Sequence, residues 1–176
     1  MFEFLFYSLI FIFILIAIIG IFVLNTYIKV TQRKRVFATE NQLMYSSEFL
    51  KWYSESYGSY PSGETWNDVI QKVRPKYTEK YLTEIAKSWD SQGVQRARGA
   101  LTSQTTDAWG RSIKYETWKL KGKTHFRLGS SGKDGIWQYS SLSDYPVNLK
   151  AGWEDWNVDF DIVFSEDGGI QAQFLE

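Results

Sequence analysis

Three aspartates in the C-terminal part of the chain, Asp134, Asp159 and Asp161, are the side chains best suited to chemistry. Carboxylates are hard oxygen donors, the type that calcium gathers in sets of about six to eight. Solvated turn carboxylates account for the same residues without a metal. Other chemistry has little to stand on. The single histidine, His125, falls in Lys-Thr-His-Phe-Arg inside a predicted strand, the usual setting of a surface or hydrogen-bonded imidazole. The chain has no G-x-S-x-G elbow, no H-E-x-x-H pair and no phosphate-binding glycine loop. Glu154 and Asp155 are acids of the kind used in glycoside hydrolysis, yet nothing in the sequence sets them across a cleft. No enzyme is expected.

The elements that would position these residues begin with an apolar N-terminus. Phe4 to Leu24 carry no charged side chain. A bilayer core of about 30 Å needs roughly 20 helical residues to cross it, and this run supplies them. A secretory signal has a shorter apolar region behind a basic start. Here the start is Met1-Phe2-Glu3, and no A-x-A-like cleavage site follows. A buried core helix is the alternative, but one small domain would struggle to cover such a helix on all sides. A retained membrane anchor over residues 1–28 is expected, in contact with membrane lipid. The basic cluster Lys29, Arg33, Lys34, Arg35 follows directly. Taken alone, the positive-inside rule keeps that side in the cytoplasm.

Bulk composition fits one anchor plus one domain. About 150 residues remain after the anchor, an ordinary single-domain length. Lys and Arg number 20, as do Asp and Glu, so the formal net charge is zero. That excludes nucleic acid as the expected partner, since such proteins carry a basic surplus. Without Cys there is no disulfide framework and no thiolate metal site. Aromatic residues make up 18% of the chain, with eight Trp. They serve either an anchor and core or a stacking surface for sugars or partner subunits.

The helix is expected to continue beyond the anchor, over residues 29–57. No Pro or Gly occurs from Asn25 to Tyr57, and Val36, Leu43, Leu50 and Tyr57 recur every seven residues with Phe37 and Met44 beside them. This is one apolar face, packing on the domain while Lys34, Glu40 and Lys51 stay wet. At about 1.5 Å per residue the whole helix would run roughly 80 Å. It stops at Tyr57-Gly58-Ser59-Tyr60-Pro61-Ser62-Gly63. A domain over 58–176 follows. Helices are predicted over Thr65–Arg74 and Thr78–Trp89, and a polar surface loop over Ser91–Thr106. Strands are predicted over Ser112–Leu120 and Thr124–Leu128, turned at Lys121-Gly122-Lys123. Gly129 to Asp155 reads as a long loop. Asp159–Phe164 and Ile170–Phe174 read as a last hairpin around Glu166-Asp167-Gly168-Gly169.

Several strings, taken in order, carry a family resemblance. Ile16-Ala17-Ile18-Ile19-Gly20-Ile21 resembles the membrane half of the type IV pilin signature. Tyr57-Gly58-Ser59-Tyr60-Pro61 resembles the end of the long helix in type II secretion major pseudopilins, and Asp107-Ala108-Trp109-Gly110-Arg111 their Asp-Pro-Trp-Gly segment with Ala for Pro. Phe126 to Gly135 resembles their strand and S-x-G-x-D-G loop, and Asp159-Phe160-Asp161-Ile162-Val163 the Asp-Asp-Ile that closes it. The resemblance implies an α+β lollipop, a long N-terminal helix packed on a small antiparallel sheet. It implies an assembly subunit of a secretion or pilus-like system, in a bacterial inner membrane with the domain periplasmic. That orientation opposes the positive-inside reading. Other pilin-like subunits, secretion components, or a homo-oligomer or filament are the implied partners. It also implies a structural calcium ion, with Leu128 (carbonyl), Ser131, Asp134, Asp159 and Asp161 as donors. Ser131 stands where many relatives have Asp.

Two departures bear on assembly. Counting back from Gly20, the family's processing Gly falls on Phe6 and its membrane Glu on Phe11. A carboxylate in lipid is costly unless paired, and Phe11 removes both the cost and the pairing. The expected protein is therefore an unprocessed, membrane-bound accessory subunit. Trp137, Tyr139, Tyr145, Trp153 and Trp156 lie in an insertion without a family counterpart. They define the alternative function, a tethered module that binds sugar or protein ligands through an aromatic platform.

Overall fold

A computed structural model describes residues 2–63, 65–73, 77–102, 105–146, 159 and 161–171. The chain is α+β: among the described residues it has a long N-terminal helix, three short α-helices and a four-stranded antiparallel sheet in the order β1-β2-β3-β4. Helix α1 spans Phe2–Tyr57, 56 residues without interruption. It ends where Gly58 turns to φ +76° and its N–H caps the Ser54 carbonyl at 2.8 Å. That left-handed conformation suits a residue without a Cβ. Two compact units divide the chain after Lys34.

The first unit is the helix through Lys34. Its large apolar residues from Leu9 to Ile28 are exposed on every side of the helix. One helix here is long and apolar enough to cross a membrane, and none of its apolar window is covered by protein.

The second unit begins at Arg35 and holds the remaining length of α1 within a hydrophobic core. Val36, Leu43 and Leu50 are buried as the heptad spacing predicts, joined by Phe49 and the small polar Thr39, Ser46 and Ser47. Each large apolar side chain removed from water contributes about 1.5–3 kcal/mol. Phe37 and Met44, expected beside that stripe, point away: Phe37 is 60% exposed and Met44 36%. Tyr57 is exposed as well. At a heptad's end the packed face has rotated away from the seven-residue row, since the helical repeat is 3.6 rather than 3.5.

Helix α2 is Trp66–Val73, opened by a reciprocal cap in which Thr65 N–H donates to Asp68 Oδ2 (3.0 Å) and Asp68 N–H to Thr65 Oγ1 (3.2 Å). Trp66, Val69, Ile70 and Val73 face the core at the i, i+3, i+4, i+7 positions. Helix α3 is Thr78–Ile85, burying Tyr81 and Leu82. Helix α4, Ser91–Thr102, replaces the surface loop expected over Ser91–Thr106. Asp90 starts it, its Oδ1 accepting the Gly93 N–H at 2.6 Å. Its buried side is only Ala97, Ala100 and Leu101, so two alanines and two glycines concealed the amphipathic pattern.

Strands β1 (Lys114–Leu120) and β2 (Lys123–Ser130) form a two-residue hairpin. Lys121 and Gly122 both have positive φ, +50° and +80°, matching the type I′ turn that follows strand twist. Lys123 thus belongs to β2, opposite Leu120, rather than to the turn. Strand β2 also runs on to Ser130, past the expected end at Leu128. Strands β3 (Ile162–Ser165) and β4 (Gly168–Gln171) close the sheet through a tighter turn than expected, with Gly168 and Gly169 in β4. The expected strand end at Phe174 lies outside the described residues.

The register assigns the two faces of the sheet. Tyr115, Leu128 and Phe164 stand opposite one another and join Phe126 and Ile162 in the main core. Val163, opposite Gly129, faces the other way and packs with Leu142, Tyr145 and Trp137. The segment 136–146, expected as an irregular loop, therefore covers the second face, with a short 3-10 helix at Leu142–Asp144. Gly129 lets it approach: a Cβ there would stand 2.9 Å from Leu142 Cδ2 and 3.2 Å from the Trp137 ring.

Candidate functional site

The covered face of the sheet gathers a cluster of charged side chains. Alternation along the strands puts Glu116, Trp118, His125 and Arg127 on that face, in the cross-strand pairs Glu116–Arg127 and Trp118–His125. Arg127 is buried, and its Nη1 donates to the carbonyls of Leu142 and Tyr145. The guanidinium also lies over the Trp118 ring, 5.2 Å from its centroid. Glu116 Oε2 accepts from Ser141 Oγ and from Leu142 N–H, each at 2.7 Å, and Lys114 Nζ sits 2.7 Å from Oε1. Burial alone would raise the Glu116 pKa. The bonds from Lys114, Ser141 and Leu142 outweigh it and hold the carboxyl below its ordinary value. Lys114 further donates to the Ser140 carbonyl and lies 5.4 Å from the Trp137 ring. Charged groups of the sheet thus clamp the backbone of the covering segment.

At the end of this face sits Asp161, fully buried. Its Oδ2 accepts from Gln138 N–H at 2.7 Å and from the Tyr145 hydroxyl. Its Oδ1 has no hydrogen-bond partner among the described residues, and neither has Gln138 Nε2. Burial raises the Asp161 pKa above its ordinary value, opposed by the bonds from Tyr145 and Gln138 and reinforced by the charge of Asp134.

The five donors implied for calcium are placed unequally. Leu128 lies in the middle of β2 between Tyr115 and Phe164, where a carbonyl faces a neighbouring strand. Ser131 is buried, and its carbonyl accepts from Gly135 N–H. Asp134 is exposed, its Oδ1 accepting from Ile136 N–H at 2.9 Å. Asp159 Oδ1 lies 4.0 Å from Lys133 Nζ. Among the described residues no three acidic or imidazole side chains gather as a metal centre. Asp161 Oδ1 is a buried carboxylate oxygen without a hydrogen-bond donor among the described residues, and the charge of Asp134 acts on the same carboxyl. Sequence reasoning missed Gln138, Glu116 and Arg127. The signal for the latter two was available, as opposite charges at alternate positions of consecutive strands.

Three of the five aromatics of the expected platform, Trp137, Tyr139 and Tyr145, lie among the described residues. Tyr145 is 1% exposed, committed to Asp161 and Val163, and presents no ring to a partner. Trp137 is partly buried against the same cluster, and Tyr139 is 40% exposed. Trp153 and Trp156 lie outside the described residues, as do Glu154 and Asp155. His125 pairs with Glu166 through Nδ1 and stacks on Trp118. In the first unit Phe11, Ile16, Ala17, Ile18, Ile19 and Gly20 are all exposed along α1.

Comparison of the chain with family models, with curated proteins and with solved structures finds no match.

Proposed function

We propose that this protein is a membrane-anchored assembly subunit of pilin-like or pseudopilin-like type, acting in a type II secretion or type IV pilus-like system. One observation carries the reading. A single helix of 56 residues presents apolar side chains on all sides in its first unit, then supplies the core of a small antiparallel sheet domain in its second. Hydrocarbon or neighbouring helices of the same kind are the surroundings that suit the first part. The segmental resemblance from Ile16 to Val163 supports the family, and with it a periplasmic domain at a bacterial inner membrane. Phe6 and Phe11 support an unprocessed accessory subunit over a cleaved filament subunit. A calcium ion at Asp161, with Asp134 nearby, belongs to the same reading. Bound there, it would neutralise a buried carboxylate and tie the turn before segment 136–146 to β3.

The lack of Cys makes the test clean. Single cysteines placed one at a time from Ile12 to Phe22 in the full chain are oxidised in membranes. Crosslinked species that recur with helical periodicity are expected. Monomer at every position would sink the assembly reading. A single cysteine at exposed Lys133, probed with an impermeant thiol reagent on spheroplasts, reports the side on which the domain lies. Labelling is expected, and protection until lysis would reverse the orientation.

A further inference from the structure

The apex of the β1–β2 hairpin concentrates charge that the fold does not use. Lys119, Lys121 and Lys123 stand there, with Leu120 between the first two, and the chain has no acidic residue from Thr117 to Lys133. All three lysines are exposed, Leu120 is 53% exposed, and none of the lysines has an ion pair among the described residues. The charged groups around them are engaged or set back. Glu116 is held by Lys114, Ser141 and Leu142, and Glu166 by His125 and the Phe126 N–H. Arg127 donates to main-chain carbonyls of the covering segment. Glu55 and Asp167 are exposed, but their charges act with that of Glu166 on Tyr60, which packs on Phe126 at the base of the hairpin. The register spreads the apex side chains around the tip. Leu120 stands opposite Lys123 on one face, Lys119 opposite Thr124 on the other, and Lys121 lies in the turn itself. Strand β3 pairs with β2 only from Arg127 onward, so the four residues Lys123–Phe126 run on beyond it by about 13 Å.

We infer that this hairpin apex docks end-on into an anionic lipid surface, with Lys119, Lys121 and Lys123 on the headgroup phosphates and Leu120 at the edge of the acyl layer. A headgroup layer is about 5–8 Å deep, within the length by which the hairpin overruns β3. The splay of the lysines favours this occupant. An extended acidic peptide lying along one face or edge meets one or two of them, whereas a planar layer met by the tip meets all three. A soluble polyanion gives the exposed leucine no role. Lysines also guard edge strands against strand addition, but Lys121 lies in the turn, where there is no edge to guard. The inference goes beyond the assembly reading and is independent of how α1 is anchored.

The test uses the full chain carried in neutral phosphatidylcholine nanodiscs, so that the apolar helix is already occupied. Sucrose-loaded vesicles of phosphatidylcholine, with or without phosphatidylglycerol, are then added and sedimented. Binding is expected only with phosphatidylglycerol, weakening as salt rises. Each of Lys119→Gln, Lys121→Gln and Lys123→Gln should lower the partition about five-fold, while arginine at all three positions keeps it. Melting midpoints of the glutamine variants should match the natural protein, since these side chains are exposed. An environment-sensitive dye on Leu120→Cys, in a chain with no other cysteine, should shift to the blue on the anionic vesicles. The same dye on Ile136→Cys, 68% exposed but outside the hairpin, should not. Equal binding to both vesicles, binding that survives the triple glutamine change, or a dye at position 120 that stays in water while the chain is bound overturns the inference. Displacement by inorganic phosphate, but not by chloride of matched ionic strength, assigns the site to free phosphate and overturns the lipid. Self-association lost in the triple variant, without vesicle binding, assigns the apex to a second copy and overturns it as well. A chain that does not enter the nanodiscs loses the membrane-spanning reading alone, and its apex is tested on the free chain with the same vesicles.

Discussion

The guanidinium of Arg127, in the middle of the sheet, donates to the main-chain carbonyl of Tyr145 at 2.6 Å, eighteen residues further along the chain. A buried charge on β2 thereby fixes a segment that has almost no regular structure of its own. Arg127→Ala leaves the Leu142 and Tyr145 carbonyls without their donor. Such losses cost about 2–3 kcal/mol, a fall of roughly 5–10 °C in the melting midpoint of the second unit. Arg127→Lys recovers only part, because one ammonium cannot reproduce the planar fork. Hydrogen exchange at Leu142–Tyr145 should accelerate in both variants. Unchanged exchange there would mean that the segment holds without the arginine.

Thr39 is a second tether. Its Oγ1, fully buried in α1, accepts the Ala108 N–H at 3.1 Å, across 69 residues of sequence. Thr39→Val keeps the shape and removes the acceptor, for an expected cost of about 1–2 kcal/mol. Thr39→Ser restores the hydroxyl and should regain most of the loss. Equal melting of the Val and Ser variants would show that packing, not the hydrogen bond, sets the value of this position.

Asp161 is expected to make stability depend on pH and, under the calcium proposal, on calcium. Burial raises its folded pKa above the ordinary value, so the folded state holds this proton more tightly than the unfolded chain does. That contribution is complete below the unfolded value near pH 4 and is lost as pH rises through the raised folded value. Without calcium, Asp161→Asn should therefore gain on the natural protein in melting midpoint as pH is taken from acid to neutral. Millimolar calcium should reverse the order, raising the midpoint of the natural protein and not that of the variant, because a ligand of the folded state stabilises it. No calcium-dependent shift in the natural protein would end the calcium proposal, and a constant gap across pH would remove the buried charge as its cause.

Phe6 and Phe11 lead to a prediction about processing. Protein purified from membranes should retain the Phe6–Tyr7 peptide bond, read by intact mass and N-terminal peptide mapping. A mature terminus at Tyr7, or a methylated new terminus, would place the chain among processed subunits.

The sequence by itself determined what short-range interactions decide. Twenty-one uncharged residues make an apolar helix wherever the chain lies. Gly58 ends it, Thr65 and Asp68 start the next, and Lys121-Gly122 dictates a tight hairpin. Helix α4 was hidden because its packed side is built from alanine, and only Asp90 at its start marked it. Heptad spacing in α1 predicted an apolar face. It did not decide that Val36, Leu43 and Leu50 are covered while Phe37 and Met44 are not. That choice belongs to the sheet and helices packed against α1. Only the tertiary structure decided that segment 136–146 folds over the sheet, burying Tyr145 and Arg127 and leaving Asp161 Oδ1 without a partner among the described residues. The same tyrosine or aspartate is solvated in a free loop and buried beneath a clamped one. Burial is set by contacts tens of residues away, which local spacing does not encode.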